Sequence, residues 1–346
     1  MKFLKIIATV FLSVVSFELF LTYSPFAGGV SPVRYDPDVG MWHKSNFHYV
    51  YSKDCYNTEY AFDERGLIKN NYSYNPDKQD VIILGDSYIE ALMIKNENIV
   101  HNSLYREYKG QFNFLNYGLG GTGPTQHLEI LKKFADTQQA KYLIEFISLD
   151  EGWGRDLEEV DPGEFGWSNR PLVHLKFSDL DHFEIFKPPS MNMKEKLREF
   201  LAHFELYGYL RKTLKYYKNK LTGNGKDSGI SKIPYGSRDW STNWDQIKGS
   251  VFQINKLSKA NHIGHRVVVF SPDRNHNEVI SQFLEQQEIP FVDLVGELEK
   301  LGIGQVWACQ FLLYAFPYQF LFPDSLLYIP GTCNWKTSGI SEITQI

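Results

Sequence analysis

Apolar and polar positions along the central part of the chain recur in blocks typical of an α/β protein. Short apolar runs, rich in β-branched residues, predict buried strands, and the amphipathic runs between them predict helices. Strands that alternate with helices form parallel sheets with right-handed crossovers. The predicted strands cover 81–84, 112–117, 142–147, 266–270 and 289–293, and the predicted helices cover 89–108, 125–135, 244–259, 275–287 and 294–301.

The segments around these blocks have other patterns. Residues 28–78 hold aromatics and turn residues, which predict short strands packed on a larger body. Residues 151–245 break the alternation, with acidic turns and a long helical pattern over 193–221, and we interpret them as a mainly helical insertion that can cover the sheet edge. The predicted organisation is therefore 1–27 as signal or anchor, 28–150 as the lead-in and first half of the α/β domain, 151–245 as the insertion, and 246–346 as the second half.

The first residues predict contact with a membrane. Lys2 and Lys5 precede an apolar run over 6–17, which resumes after Glu18. A basic flank before such a run is typical of an export signal or a single anchor. An acidic residue opposes a deep position in the bilayer, but no small-x-small cleavage site follows, so we favour an uncleaved anchor over a cleaved signal or a buried helix. Both membrane hypotheses place the rest of the protein outside the cytoplasm, in the periplasm or an equivalent compartment.

Composition removes several classes of function. The net charge of −5 predicts no nucleic-acid partner. The three cysteines, Cys55, Cys309 and Cys333, form no Cys-x-x-Cys motif, so neither a zinc site nor a redox motif is supported, and we expect no metal and no cofactor. Aromatic residues make up 15% of the chain and suit both a core and a cleft that stacks on sugar rings.

One stretch carries candidate chemistry. The strand at 81–84 ends at Gly85, and Asp86 or Ser87 can cap the helix that follows. A serine at a strand-to-helix turn projects from the carboxyl edge of the sheet, beside backbone N–H groups that point to the same space. The pattern is compatible with a serine nucleophile, but strand-Gly-Asp-Ser-helix is common in α/β proteins, so the local pattern alone favours a simple helix cap.

Two further loops follow the next strands and should reach the same edge, where ligands bind in parallel sheets. The first is glycine-rich, Asn116 to Gly123, and the second is Ser148 to Glu151. An ester-cleaving serine needs a base to accept its proton and donors for the developing oxyanion. Backbone N–H groups of Ser87 and of a glycine in the first of these loops can supply such donors, although the glycines alone also suit an ordinary turn.

Together these loops resemble those of the SGNH (GDSL) hydrolase superfamily, in its exported, membrane-anchored bacterial branch. The resemblance implies a three-layer α/β sandwich with a central parallel sheet. It implies Ser87 as the nucleophile, with Gly121, or Gly118 as runner-up, as the second oxyanion donor besides the Ser87 N–H. The implied substrates are esters, such as acyl groups on a cell-envelope glycan, with an O-acyltransferase as a variant of the same chemistry.

The chain departs from the family in two places. Asp150 stands where the family has an asparagine that donates to the oxyanion, and an ionised carboxylate cannot donate. Asn334 aligns with the family's catalytic histidine, and Gly331 aligns with the aspartate that supports it. The amide of Asn334 cannot act as a general base near neutral pH. His276 is a possible substitute base, since it follows a strand at the correct edge; neighbouring Asp273 and Arg274 can bind a polar substrate. The missing asparagine, aspartate and histidine favour a non-catalytic relative that binds a glycan or a protein partner. A C-terminus altered by a sequence error is a third explanation.

Overall fold

The computed structural model describes residues 2–23, 30–53, 56–148, 173–188, 190–221, 244–270 and 274–300. Eleven strands and nine α-helices are assigned within these ranges. In chain order they are α1 (Lys2–Tyr23), β1 (Val33–Asp36), β2 (Gly40–His43), β3 (His48–Lys53), β4 (Tyr56–Ala61), β5 (Asp80–Leu84), α2 (Ser87–Glu90), α3 (Val100–Glu107), β6 (Asn113–Asn116), α4 (Pro124–Phe134), β7 (Ala140–Ser148), β8 (His174–Phe177), β9 (Phe183–Phe186), α5 (Met193–Leu201), α6 (Glu205–Leu221), α7 (Trp244–Ala260), β10 (Gly264–Phe270), α8 (Arg274–Gln286), β11 (Phe291–Asp293) and α9 (Leu294–Lys300).

The centre of the molecule is a five-stranded sheet in the order β11-β10-β7-β5-β6, with every neighbouring pair parallel. Ile82 of β5 is in register with Leu115 of β6 on one side and Leu143 of β7 on the other. The strands are apolar runs because both faces of a parallel sheet are covered. All five strand predictions and the predicted α/β class with a central parallel sheet are confirmed.

Helices cover both faces of this sheet. On one face α4, α7 and α8 bury residues such as Leu128, Val251 and Leu284 against the sheet. On the other, α3 and the β3–β4 hairpin pack on the sheet through residues such as Leu104 and Tyr60. The three layers of the predicted sandwich are therefore present.

The lead-in protects an edge of the sheet. The edge strand β6 would otherwise expose unpaired backbone groups. The Tyr72 hydroxyl donates to the carbonyl oxygen of Phe114 at 2.9 Å and accepts from its N–H at 2.7 Å, as a neighbouring strand would. Asn113 at the start of β6 likewise accepts from the Asn75 N–H and donates to the Asn75 carbonyl.

The described part of the insertion contains an unpredicted hairpin. Strands β8 and β9 pair antiparallel, and Leu175 and Phe177 are buried against α4 and α7. The alternation of apolar residues in these four-residue strands is too short to distinguish from loop sequence. The helices α5 and α6 follow, within the long helical pattern predicted over 193–221.

Two predicted helix boundaries were wrong. The helix expected over 89–108 is split, because Ala91 adopts a left-handed conformation with φ 52° and ends α2 after one turn. Hydrogen bonds from Thr58 and Tyr60 to the carbonyls of Leu92 and Ile94 hold this break, and they come from a distant hairpin. Helix α4 begins at Pro124, one residue before the predicted start at Thr125, and its N-cap is Gly123. The apolar stretch 306–328 and the helix predicted at 337–346 lie outside the described residues.

Candidate functional site

Ser87 lies at the switch point of the sheet. From β5 the chain moves to β6 on one side, then crosses through α4 to β7 on the other side of β5. Loops that leave such strands diverge, and the space between their carboxyl ends is where open α/β sheets bind ligands. Ser87 is the first residue of α2 and is half-buried. The structure therefore places the predicted serine at the expected edge.

The turn before Ser87 is set by its two neighbours. The Asp86 carboxylate caps α2 by accepting a hydrogen bond from the Tyr88 N–H at 2.9 Å. A Cβ on Gly85 would lie 2.2 Å from a side-chain carbon of Ile89, so only glycine fits there. Because Asp86 is the cap, Ser87 is not needed for it, and no hydrogen bond of the Ser87 hydroxyl or N–H is recorded among the described residues.

The glycine-rich loop between β6 and α4 lies beside this turn. The Leu119 N–H donates to the Gly85 carbonyl at 2.9 Å, which joins the two loops directly. The Gly118 N–H is donated to the Asn116 side chain at 2.8 Å, so the runner-up oxyanion donor is already engaged. Gly121 adopts a left-handed conformation with φ 80°, and within the described chain its N–H has no partner. Of the two glycines considered, Gly121 is therefore the one with a donor available.

Asn116 clamps the two loops together. Its amide nitrogen donates to the Ile89 carbonyl at 2.8 Å, while its oxygen accepts from Gly118. The same amide nitrogen lies 3.2 Å from Nδ1 of buried His101, which accepts only when the ring is neutral. Burial lowers the pKa of His101 to about 3, so the ring stays neutral over the ordinary pH range. The sequence placed Asn116 at the start of the loop but did not reveal this role.

A buried carboxylate supports the glycine-rich loop from behind. Glu90 accepts from the Gly120 N–H at 2.9 Å, one residue before Gly121, and its other oxygen lies 2.8 Å from Nε2 of His43. Nδ1 of His43 lies 3.0 Å from the Gly66 carbonyl. The Gly66 carbonyl can only accept, so Nδ1 of His43 donates to it. The hydrogen bond between Nε2 and Glu90 therefore needs a second proton, carried by the ring or by the carboxyl group. Sequence reasoning missed this pair, since its members belong to distant segments.

A second buried acid lies beneath the site. Glu145 of β7 is 3.1 Å from Nδ1 of His127 in α4 and 3.3 Å from Nε2 of His265 in β10, and all three side chains are almost fully buried. Burial raises the pKa of Glu145, but the hydrogen bonds and charges of the two histidines outweigh burial and lower it below its usual range. His265, expected just before a strand, instead lies inside β10 and faces the core.

The other predicted site residues are less well placed. His276 lies in the first turn of α8, buried, with its ring 5.9 Å from that of Trp244. No hydrogen bond joins it to Ser87 in the part of the chain that the structure describes. Asp150, Gly331 and Asn334 lie outside the described residues, as does Asp273. In the same described ranges, no three His, Cys, Asp or Glu side chains are arranged to hold a metal ion.

A narrow crevice opens at the serine turn, where Asp86 and Tyr88, the two neighbours of Ser87, line it. It has a volume of about 30 Å³ and lies between the ends of β5, β7 and β10, with Asp86 at its polar end. Its remaining lining is largely apolar and comes from Tyr88, Ile89, Phe146, Ile147, Ser148, Val268, Phe270 and Leu294. A larger cleft of about 350 Å³ lies between the 63–74 segment and β6. The crevice is the cavity that adjoins the serine turn.

Comparisons with known proteins give limited similarity. No family model and no curated protein matches the chain. A protein of Desulfitobacterium hafniense DCB-2, described as lipolytic and of the G-D-S-L family, has a solved structure with a TM-score of 0.33 and 10% identity, covering 63% of this chain and 79% of that one. A structure described as an acylhydrolase of Bacteroides fragilis NCTC 9343 gives a TM-score of 0.31 and 12% identity over 66% and 73%.

At such identities and TM-scores the likeness says nothing about activity. The architecture is established by this chain's own topology. Numbered along the chain, the sheet strands have the order 2-1-3-4-5, the flavodoxin-like order with its switch point between the first and third strands. The Gly-Asp-Ser turn follows the first strand and the glycine-rich loop follows the second. The chain therefore has a flavodoxin-like, three-layer α/β fold with the Gly-Asp-Ser turn at its switch point, the architecture that the resemblance of its motifs implies.

Proposed function

We propose that this protein is an exported serine hydrolase that cleaves a small acyl ester, with Ser87 as the nucleophile. The observation that carries the proposal is that Ser87 and Gly121 lie in two loops that are joined at the switch point by the hydrogen bond from the Leu119 N–H to the Gly85 carbonyl. Ser87 and Gly121 both have an N–H group with no recorded hydrogen bond among the described residues, whereas the N–H groups of Gly118, Leu119 and Gly120 are all engaged.

The chemistry follows from this arrangement. The Ser87 hydroxyl attacks the ester carbonyl, and the N–H groups of Ser87 and Gly121 hold the oxyanion that forms. The alcohol leaves with a proton, and water then attacks the acyl-serine and releases the acid. The base that accepts the serine proton is unassigned, and His276 is the candidate at this edge of the sheet. Glu90 and Asn116 are positioning residues, since they fix the loop that carries Gly121.

The crevice supports a short acyl chain. A volume of about 30 Å³ admits a group near the size of one water molecule or methyl group, and its walls are apolar. An acetyl group fits this description. The inferred substrate class is therefore a short-chain ester, such as an O-acetyl group on a glycan of the cell envelope.

The first helix supports the proposed location. Within α1, the stretch Lys5–Thr22 is long and apolar enough to cross a membrane, a property that signal sequences share. Glu18 and Leu21 near the end of α1 contact the folded body, and Leu21 is buried. A helix that takes part in the fold suits an anchor that is retained. We infer that the domain lies outside the cytoplasm on an uncleaved anchor.

Labelling by a fluorophosphonate tests the proposal. The full-length protein in mild detergent should be labelled, Ser87→Ala should abolish labelling, and Ser178→Ala, at an exposed serine in the β8–β9 turn, should leave it unchanged. Hydrolysis of p-nitrophenyl acetate should exceed that of the octanoate. Folded wild-type protein that is neither labelled nor hydrolytic would contradict the proposal.

The alternative is a non-catalytic relative that binds a glycan or partner through the same edge. The observation in its favour is the amide of Asn334 where the family has its histidine. It predicts no labelling together with binding of an acetylated oligosaccharide that Tyr88→Ala weakens. An O-acyltransferase would instead be labelled at Ser87 and transfer acetyl to a sugar hydroxyl faster than to water.

A further inference from the structure

Helix α5 exposes the side that a soluble helix buries. Met193, Leu197 and Phe200 recur at helical spacing and are 82%, 56% and 61% exposed. The opposite side contacts the body: Glu199 accepts from the Tyr35 N–H at 3.3 Å. Its polar side faces inward and its apolar stripe outward, so the described residues leave the stripe uncovered.

Helix α6 repeats the arrangement and adds charge. Leu210, Leu214 and Tyr217 form one stripe at helical spacing and are 48%, 68% and 54% exposed. The basic residues Arg211 and Lys218 are exposed beside this stripe, and Lys212, Lys215 and Lys220 belong to the same helix. An apolar stripe flanked by lysine and arginine is typical of a helix that lies in the interface of an anionic membrane.

The position of α6 relative to α1 identifies the surface. Both oxygens of Glu18 accept hydrogen bonds at the start of α6, from the N–H groups of Glu205 at 2.7 Å and Leu206 at 2.8 Å. Lys2 and Glu18 are separated by 16 helical residues, or about 24 Å, slightly less than the ~30 Å hydrocarbon core. If Lys2 lies at one membrane boundary, α6 begins close to the other.

We propose that α5 and α6 dock on the far surface of the membrane beside α1, with their apolar stripes at the boundary of headgroups and acyl chains and their basic residues on anionic phosphates. The proposal rests on the anchor inferred above. A second copy of the chain is a poorer occupant, because two α6 stripes face to face would bring their flanking cations together. The lipid surface also continues from the exposed apolar surface of α1. Docking would hold the domain at the membrane surface through α5 and α6 as well as through α1.

Lipid photocrosslinking in nanodiscs tests the docking. The full-length protein is reconstituted in mixed zwitterionic and anionic phospholipid that carries a diazirine near the headgroup end of the acyl chain, and adducts are mapped by mass spectrometry. We expect adducts on α1 and on both stripes. The double variant Leu210→Glu/Leu214→Glu should lose α6 adducts several-fold, whereas the matched control Ile185→Glu, at an exposed apolar residue of β9, should not.

Removing the flanking charges is an independent test of docking that leaves the apolar stripes unchanged. Arg211→Gln/Lys218→Gln should lower α6 adduct yield in anionic nanodiscs by about five-fold for each charge removed, and have little effect in purely zwitterionic ones. This variant keeps the test valid if the glutamate variant fails to fold. Three results would contradict the docking but not the anchor. They are adducts on α1 alone, crosslinks between the stripes of two copies, and crosslinks from the stripes to residues 306–328. Absence of α1 from the mature protein overturns the anchor and the docking together.

Discussion

Polar and apolar groups have opposite positions in two regions of the molecule: the serine edge, formed by the loops of Ser87 and Gly121, and the pair of helices α5 and α6. At the serine edge, Glu90 and Asn116 are buried and bonded, and the apolar side chains around them are inside the protein. In α5 the polar side contacts the body through Glu199, and in both α5 and α6 an apolar stripe faces outward. The first region is stabilised by its own contacts, and the second is complete only beside another apolar surface. Four changes test that difference, in decreasing order of expected effect.

The largest effect is expected at Glu90. Glu90→Leu leaves the Gly120 N–H and the His43 ring without a buried acceptor, at a cost of about 1–3 kcal/mol for each unpaired group. Glu90→Gln retains an acceptor for Gly120 and donates to a neutral His43, so we expect it within about 1 kcal/mol of wild type. Urea unfolding in detergent measures both.

The same variants probe the position of the glycine-rich loop. If Glu90 acts by holding Gly121 in position, Glu90→Leu should lower the labelling rate and kcat by a larger factor than it raises KM. Glu90→Gln should keep most of the wild-type rate. Equal stability and equal rates for Glu90→Leu and wild type would show that the His43–Glu90 pair is dispensable and that this edge tolerates substitution as an exposed surface does.

A pair of leucines compares the two regions directly. Leu104 of α3 is fully buried and Leu214 of α6 is 68% exposed. Leu104→Ala should destabilise the protein by about 2–5 kcal/mol, because a cavity remains. Leu214→Ala in detergent should change stability by less than about 0.5 kcal/mol, as at other surface sites. Chemical unfolding of both variants gives the difference, and a large loss at Leu214 would mean that its stripe is already covered within the protein.

How far the sequence predicted these regions depends on the distance over which each contact acts. The strands and the Gly-Asp-Ser turn are local patterns, so the sheet and the position of Ser87 could be predicted. The His43–Glu90 pair joins residues 47 positions apart, and the break at Ala91 is held by Thr58 and Tyr60. Such contacts have no local periodicity. The outward direction of the α5 stripe was also hidden, since an amphipathic pattern does not reveal which side meets the body.

The pH dependence of stability should reflect His101. Burial lowers its pKa from 6.5 to about 3. Between these values the unfolded chain binds a proton that the folded protein does not, so stability falls as pH falls, by up to about 1.4 kcal/mol per pH unit. Urea unfolding at neutral pH and near pH 5 should show a shallower fall for His101→Gln than for wild type. The matched control His48→Gln, at an exposed histidine, should keep the wild-type slope; equal slopes for all three proteins would contradict the assignment.

The smallest effect is expected where the two helices of the insertion differ. Helix α5 is capped locally, since Asn192 accepts from the Glu195 N–H at 3.0 Å, whereas α6 depends on Glu18, 187 positions earlier. Glu18→Ala should loosen the first turn of α6 by about 1 kcal/mol, so amide exchange at Glu205 and Leu206 should accelerate about five-fold while α5 is unaffected. Asn192→Ala should do the reverse. If Glu18→Ala leaves both helices unchanged in nanodiscs and in detergent, α6 does not rely on α1. If it loosens α6 in detergent but not in nanodiscs, the lipid surface itself is sufficient to hold the helix, as docking on that surface requires.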